Sequence, residues 1–321
     1  MKTTRLLALV LAVQLALALF TWWPADRAHL VARPLLDVDP QSIDGIEIAR
    51  RPAEGSPPEW LKLSREGADW TIASASGYPA DPEKIDQLVA RLLELRVRAP
   101  IATSPSSHNA LSVGERDYGR RLKIRTGASE RELVVGADRS NSIRVRFADE
   151  TDVYVATGIS EFALADAASA YWPRDYVQVP VEEIRSFVIE NEHGRLRAER
   201  NVDGWTLADA PPDTRVDAEA IEQFLGEVTT LTLVEPLGVE PLPEYALESG
   251  PRIGWTLDAS DQSISGGYAV GRVEGGQAIV KSDTDRFVVK VQAANVARVG
   301  SARATDFVQS AAAEPVEPVS D

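Results

Sequence analysis

The chain is expected to be an α+β protein: two tandem repeats, each of mostly antiparallel strands with one longer and one short helix, behind an N-terminal transmembrane helix. Three observations predict this. A pattern occurs twice: Asp69-Trp70-Thr71-Ile72 precedes Asp81 and a helix-like run, and Asp203-Gly204-Trp205-Thr206-Leu207 precedes Asp217 and a matching run. Trp70 to Trp205 is a step of 135 and Asp81 to Asp217 a step of 136, a period that means two copies of one folding unit rather than many small ones. Short alternating runs surround each helix, the mark of antiparallel sheets with segregated helices. Finally, Lys2 and Arg5 precede an uncharged run from Leu6 to Trp23. At 1.5 Å per residue that run spans about 27 Å, near the lower limit for crossing a bilayer.

The N-terminal segment, 1–24, is read as an uncleaved signal anchor. Trp22 and Trp23 fall where an interfacial aromatic belt belongs, and Pro24 stops the helix. The small-x-small pattern Ala16-Leu17-Ala18 lies inside the apolar run rather than after it, so it marks no cleavage site. The positive flank stays in the cytoplasm, which places the main body outside, at the inner (cytoplasmic) membrane. Residues 25–40 form a tether, 41–176 repeat one, 177–309 repeat two, and 310–321 a tail expected to be disordered from its Ala, Glu, Pro and Val content.

Within repeat one, Ile43 to Ile48 is a strand, and Trp60 to Leu63 pairs with Trp70 to Ile72 across the turn near Gly67. Asp81 caps a helix with Pro82 at its first position, and Ile85, Leu88, Val89, Leu92 and Leu93 share one face. Strands follow at Leu122–Arg125, Glu132–Val135, Ile143–Phe147 and Val153–Val155, then a short helix from Ile159 to Ala168. Repeat two runs in the same order. It has strands at Phe187–Ile189 and Leu196–Glu199, an Asp203-Gly204 hairpin into Trp205, and a helix from Ala218 to Leu231. Strands at Ile253–Leu257, Tyr268–Val273, Ala278–Lys281 and Phe287–Val291 precede a helix from Ala293 to Val299.

Composition excludes several chemistries. A net charge of −15 argues against a nucleic-acid partner. With no cysteine there is no disulfide, thiolate metal site or cysteine nucleophile. His29, His108 and His193 have no ligand spacing, and His193 sits in an Asn191–Gly194 turn. Ser104, Ser106 and Ser107 beside His108 form a polar loop rather than a triad, and no G-x-S-x-G elbow exists. Gly266, Gly267, Gly271, Gly275 and Gly276 lie among strands with no helix behind them, so they serve hairpins rather than phosphate. Trp70 and Trp205 are core residues. No cofactor or catalytic residue is expected.

One pattern suggests binding. Arg121, Lys123 and Arg125 alternate with apolar residues, as do Arg144 and Arg146, so period-two geometry puts the cations of each strand on one face. If the two strands share a sheet, five cations decorate one side and favour an anionic partner. A solvated outer face interleaved with Glu130 and Glu132 is the plainer reading.

The chain resembles a bacterial family catalogued as domain of unknown function 4340. The resemblance lies in the N-terminal anchor, the two tryptophan motifs with their following Asp-capped helices, Asp152-Val153-Tyr154-Val155 leading into Ile159 to Leu164, and Trp172-Pro173-Arg174-Asp175. It implies an envelope accessory role, because members of that family often accompany ABC-type export systems of the gliding-motility kind. It carries over no catalytic residue. The expected function is thus a membrane-anchored extracytoplasmic binding or scaffold protein that meets a membrane-protein partner of a transport system. The alternatives are a module binding an anionic ligand or envelope polymer through the basic sheet face, and a hydrolase with an unrecognised carboxylate site.

Overall fold

The architecture is that of a computed structural model, which describes Gln14 and residues 31–136, 142–157, 159–160, 163–208, 210–211, 214–259 and 262–309. The expected anchor, apart from Gln14, and the expected tail at 310–321 lie outside the described residues. Among those described, no helix is long and apolar enough to cross a membrane.

In chain order the first strands are β1 (Arg33–Pro34), β2 (Gly45–Arg50), β3 (Leu61–Glu66), β4 (Asp69–Ile72) and β5 (Tyr78–Pro79), followed by helix α1 (Pro82–Leu93). Then come β6 (Arg96–Val97), β7 (Arg120–Thr126), β8 (Ser129–Val135), β9 (Ile143–Phe147) and β10 (Tyr154–Thr157). The second series is β11 (Asp175–Gln178), β12 (Ile184–Asn191), β13 (Gly194–Asn201) and β14 (Gly204–Leu207), then α2 (Ala218–Val228). β15 (Thr230–Gly238), β16 (Arg252–Ala259), β17 (Gln262–Glu274), β18 (Gln277–Ser282), β19 (Val288–Gln292) and α3 (Ala293–Ser301) complete it.

Packing divides the chain into two units. Among the described residues, the first holds those up to 65 and those within 83–166; the second holds 66–82 and those from 167 onward. The hairpin that carries Trp70 therefore belongs with the second unit, although the first series supplies it.

In unit one the strands run β1-β6-β10-β9-β8-β7-β2-β3, all antiparallel. Register explains the core. Ile46 faces Leu63 and Ile124, Ile48 faces Leu61 and Leu122, and Leu122 faces Leu133. Alternation thus gathers these apolar side chains on one face. Helix α1 buries Ile85, Leu88, Val89 and Leu92, its single apolar stripe.

Unit two carries a nine-stranded antiparallel sheet in the order β11-β15-β19-β18-β17-β16-β12-β13-β14. Its strands follow one another as those of unit one do. Phe187 on β12, Trp205 on β14, Phe224 on α2 and Phe307 meet with ring centroids 5.3–6.3 Å apart, mostly edge to face. Asp217 caps α2 by accepting from the Ala220 N–H at 3.1 Å. The α2 helix stops at Val228, short of the expected Leu231. Thr230-Leu231-Thr232-Leu233 alternates exposed and buried, so β-branched residues take the chain into β15. Tyr268 Oη donates to Val228 O at 2.9 Å and closes that helix end.

The hairpin at 66–82 is locked into unit two by aromatic contact. Tyr78 packs edge-on against Phe287 at 4.8 Å. Tyr176 on β11 donates to Phe287 O and accepts from Ser282 N–H, both at 2.8 Å. The expected short helix at Ile159–Ala168 lies partly outside the described residues, and Ala168–Ala170 forms a single 3₁₀ turn.

Phe224→Ala removes a fully buried ring that packs against Phe187 and Phe307 in the four-aromatic cluster. A loss of about 3–5 kcal/mol is expected, read as a lower urea midpoint at unchanged slope.

Candidate functional site

The five basic residues share one face of the unit-one sheet, though their strands are not neighbours. β8 lies between β7 and β9, with Val134 facing both Arg121 and Arg146. β8 also supplies acids. Glu132 Oε1 accepts from Arg121 Nη1 at 2.9 Å, and Lys123 Nζ lies 3.5 Å from Glu130. Arg125 Nε donates to Asp44 Oδ1 at 2.7 Å. Aromatic rings take two of these cations as well: Arg121 lies over Tyr118 and Lys123 over Trp60, at 5.0 and 4.8 Å.

Arg146 is buried, not displayed. Residues 102–118 fold over this part of the face, where Val113, Tyr118, Val134 and Val153 form a small second core. Beneath it Arg146 donates from Nε to Val113 O at 3.0 Å, and from Nη1 to the carbonyls of Phe147, Ala148 and Glu150 at 3.0–3.1 Å. One guanidinium thereby satisfies four main-chain acceptors and ties the covering loop to the β9 turn. Arg144 is half-buried beside Gly136. The arrangement neutralises most of the face: of the five, Arg121, Lys123 and Arg125 have carboxylate partners, and Arg146 serves carbonyls.

The other motifs sit as turns and loops. His193 is in the β12–β13 turn, its N–H bonded to Asn191 Oδ1. His108 Nε2 lies 2.9 Å from Thr151 O. Gly275 and Gly276 take positive φ, 60° and 79°, in the β17–β18 hairpin. Among the described residues, no group of three or more His, Asp or Glu is placed to hold a metal.

Two features escaped the sequence reading. One is a polar cavity where β2 ends and β7 begins. The other is the edge of unit two's sheet. β14 is the last strand in its order, with β13 on one side only. The two-residue Val202-Asp203 turn makes Asn201–Gly204 the first hydrogen-bonded pair, so Thr206 bonds to Glu199. The main-chain groups of Trp205 and Leu207 therefore point away from β13. A cavity of about 480 Å³ runs along that side, lined by Trp205, Leu207, Pro211, Thr214, Val216 and Gln309 among others. The Trp205 indole Nε1 is buried with no hydrogen-bond partner among the described residues, a state that native structures rarely leave uncompensated.

The hydrogen bond from Arg125 holds the Asp44 carboxyl below its ordinary 3.8, and the Gly127 N–H adds to this against desolvation. Because the folded value is depressed, the stabilisation is complete above pH 3.8 and fades as pH falls through the folded value. A carboxyl-resolved NMR titration should place Asp44 below 3.8 in the native chain, and Arg125→Gln should move it upward. Arg146→Met should cost about 3 kcal/mol in urea denaturation, since buried carbonyls lose their donor, whereas Arg144→Met should cost less than about 1 kcal/mol.

Comparison with known proteins adds a family. No curated protein and no solved structure matches the chain. Residues 70–250, more than half the chain, match the family described as Domain of unknown function (DUF4340), and the chain belongs to that family.

Proposed function

We propose that the chain is a membrane-anchored extracytoplasmic binding protein, accessory to an ABC-type envelope transport system, and that it acts by contact rather than turnover. The open side of β14 carries this reading. An edge strand with outward N–H and C=O groups and a cavity alongside is built to receive an extended segment of another polypeptide. The occupant would supply main-chain partners to the N–H and C=O of Trp205 and to the N–H of Leu207, whose carbonyl already accepts from Ala210 N–H at 3.4 Å, and a carbonyl within reach of the indole N–H.

The fold offers a precedent if the two series arose by duplication, as their shared strand order suggests. The counterpart of β14 is β4, and there the chain fills the place itself. β5 pairs with β4, setting Thr71 opposite Pro79 and Ile72 opposite Tyr78. Trp70 O accepts from Ala80 N–H at 2.8 Å. In the second series the corresponding residues turn elsewhere: Val216 bridges Val308, and Asp217 N–H bonds Phe307 O. Among the described residues no strand pairs with β14 on that side. The N-terminal apolar run would keep it near the bilayer, raising its effective concentration for a membrane-embedded partner.

A photo-crosslinking amino acid at Thr206, whose side chain is exposed on β14, tests this in intact membranes. The expected product is an adduct with a membrane component of a transport system, absent when the same probe stands at Val273, which is 57 % exposed elsewhere in the unit. Equal labelling from both positions, or none from Thr206, counts against the reading.

A further inference from the structure

We infer that the polar cavity at the β2–β7 end of unit one is an oxyanion site that takes a phosphate group. This stands apart from the strand-addition reading and does not rest on it.

Sheet register creates the site. Arg50 ends β2, Arg120 opens β7, and the two are direct cross-strand partners. Like charges in that relation are unfavourable unless something anionic compensates. Arg51 adds a third guanidinium. Two carboxylates answer them. Asp166 lies 3.1 Å from Arg50 Nε and 3.6 Å from Arg120 Nη2, and Asp117 lies 2.7 Å from Arg51 Nη1. Among the described residues, three cations against two anions leave a positive excess around a cavity of about 250 Å³, in a chain whose net charge is −15.

The three arginines are held differently, and this suits capture of a ligand. Arg120 is fixed: Nε donates to Leu164 O at 3.2 Å, Nη1 to Gly119 O at 3.1 Å, and its side chain is 14 % exposed. It supplies a preset charge. Arg50 and Arg51 are 71 % and 56 % exposed and engage through Nε and Nη1 respectively. Both Nη groups of Arg50 and Nη2 of Arg51 make no hydrogen bond among the described residues, so they are the available donors. Ser112 completes the wall in a left-handed conformation, φ 56°. A non-glycine residue there is strained, and such strain gathers at ligand sites.

The geometry selects the ligand class. A carboxylate is planar and saturates one guanidinium fork. Donors on separate residues around one cavity are better matched by a tetrahedral group with oxygens in several directions and up to two charges. The phosphate can come from a soluble phosphate ester or from a phospholipid headgroup.

Calorimetric titration of the full-length chain, in a phosphate-free maltoside micelle at constant ionic strength, uses inorganic phosphate as the probe. Saturable binding is expected, accompanied by a rise in melting temperature. Arg50→Gln/Arg51→Gln should weaken it about tenfold or more, with the single Arg51→Gln intermediate. Arg131→Gln, which alters an exposed pair with Glu150 away from the cavity, should leave it unchanged. Melting without phosphate checks that each variant folds. Short-chain phosphatidylglycerol that competes with phosphate assigns the headgroup; competition by glycerol phosphate alone assigns a soluble ester; either upholds the site. No saturable binding, or equal binding by the wild type and the folded double variant, overturns it.

Discussion

Main-chain pairing is the constraint from which the rest follows. Each strand exposes N–H and C=O groups on both sides, and a sheet must stop somewhere without leaving them a hazard. Unit one ends at β1, two residues long, too short to template anything. At the far end of unit two, β11 is four residues long and pinned by the Tyr176 hydroxyl between Ser282 and Phe287. β14 is equally short, yet all four of its residues line a cavity and it buries an indole N–H that nothing described satisfies. That difference makes it the candidate contact surface.

Covering the second face of each sheet is the next requirement. Residues 102–118 do this in unit one, over Val134 and Val153. In unit two, Leu247, with Leu237 and Tyr245 packed alongside, covers Ala269, Ile279 and Val288. In unit one the covering loop crosses a strand that carries arginines, so Arg146 is converted from a surface charge into a clamp on four carbonyls. Burial of a charge is tolerable there because every bond it makes is to an oriented acceptor. The acids of β8 and Asp44 offset Arg121, Lys123 and Arg125, whereas at the polar cavity, among the described residues, three arginines face two carboxylates.

Much of this was legible in the chain. Alternation at Leu122 to Arg125 and Ile143 to Phe147 located β7 and β9, and the three-four spacing of Ile85 to Leu92 located α1. Two-residue strands such as β5 and β6 have no period to read. β15 was hidden because Leu231 falls at helical spacing from Val228, and only the burial pattern separates them. Parity alone put the cations of each strand on one face; that the two strands share that face follows from the register through Val134. The intervening β8 and the loop burying Arg146 were not readable, since neither follows from local spacing. Arg50-Arg51 and Arg120-Arg121 stand plainly in the sequence, yet seventy residues separate them, and only the β2–β7 register makes them neighbours.

The most direct measurement is residue-resolved hydrogen exchange of β14 in the full-length chain without a partner. Since among the described residues β14 pairs on one side only, the Trp205 and Leu207 amides should exchange at least about a hundredfold faster than that of Thr206, which is bonded to β13. Equal protection at all three positions would mean that the outer edge is already closed, and the claim of an open receiving strand would fail.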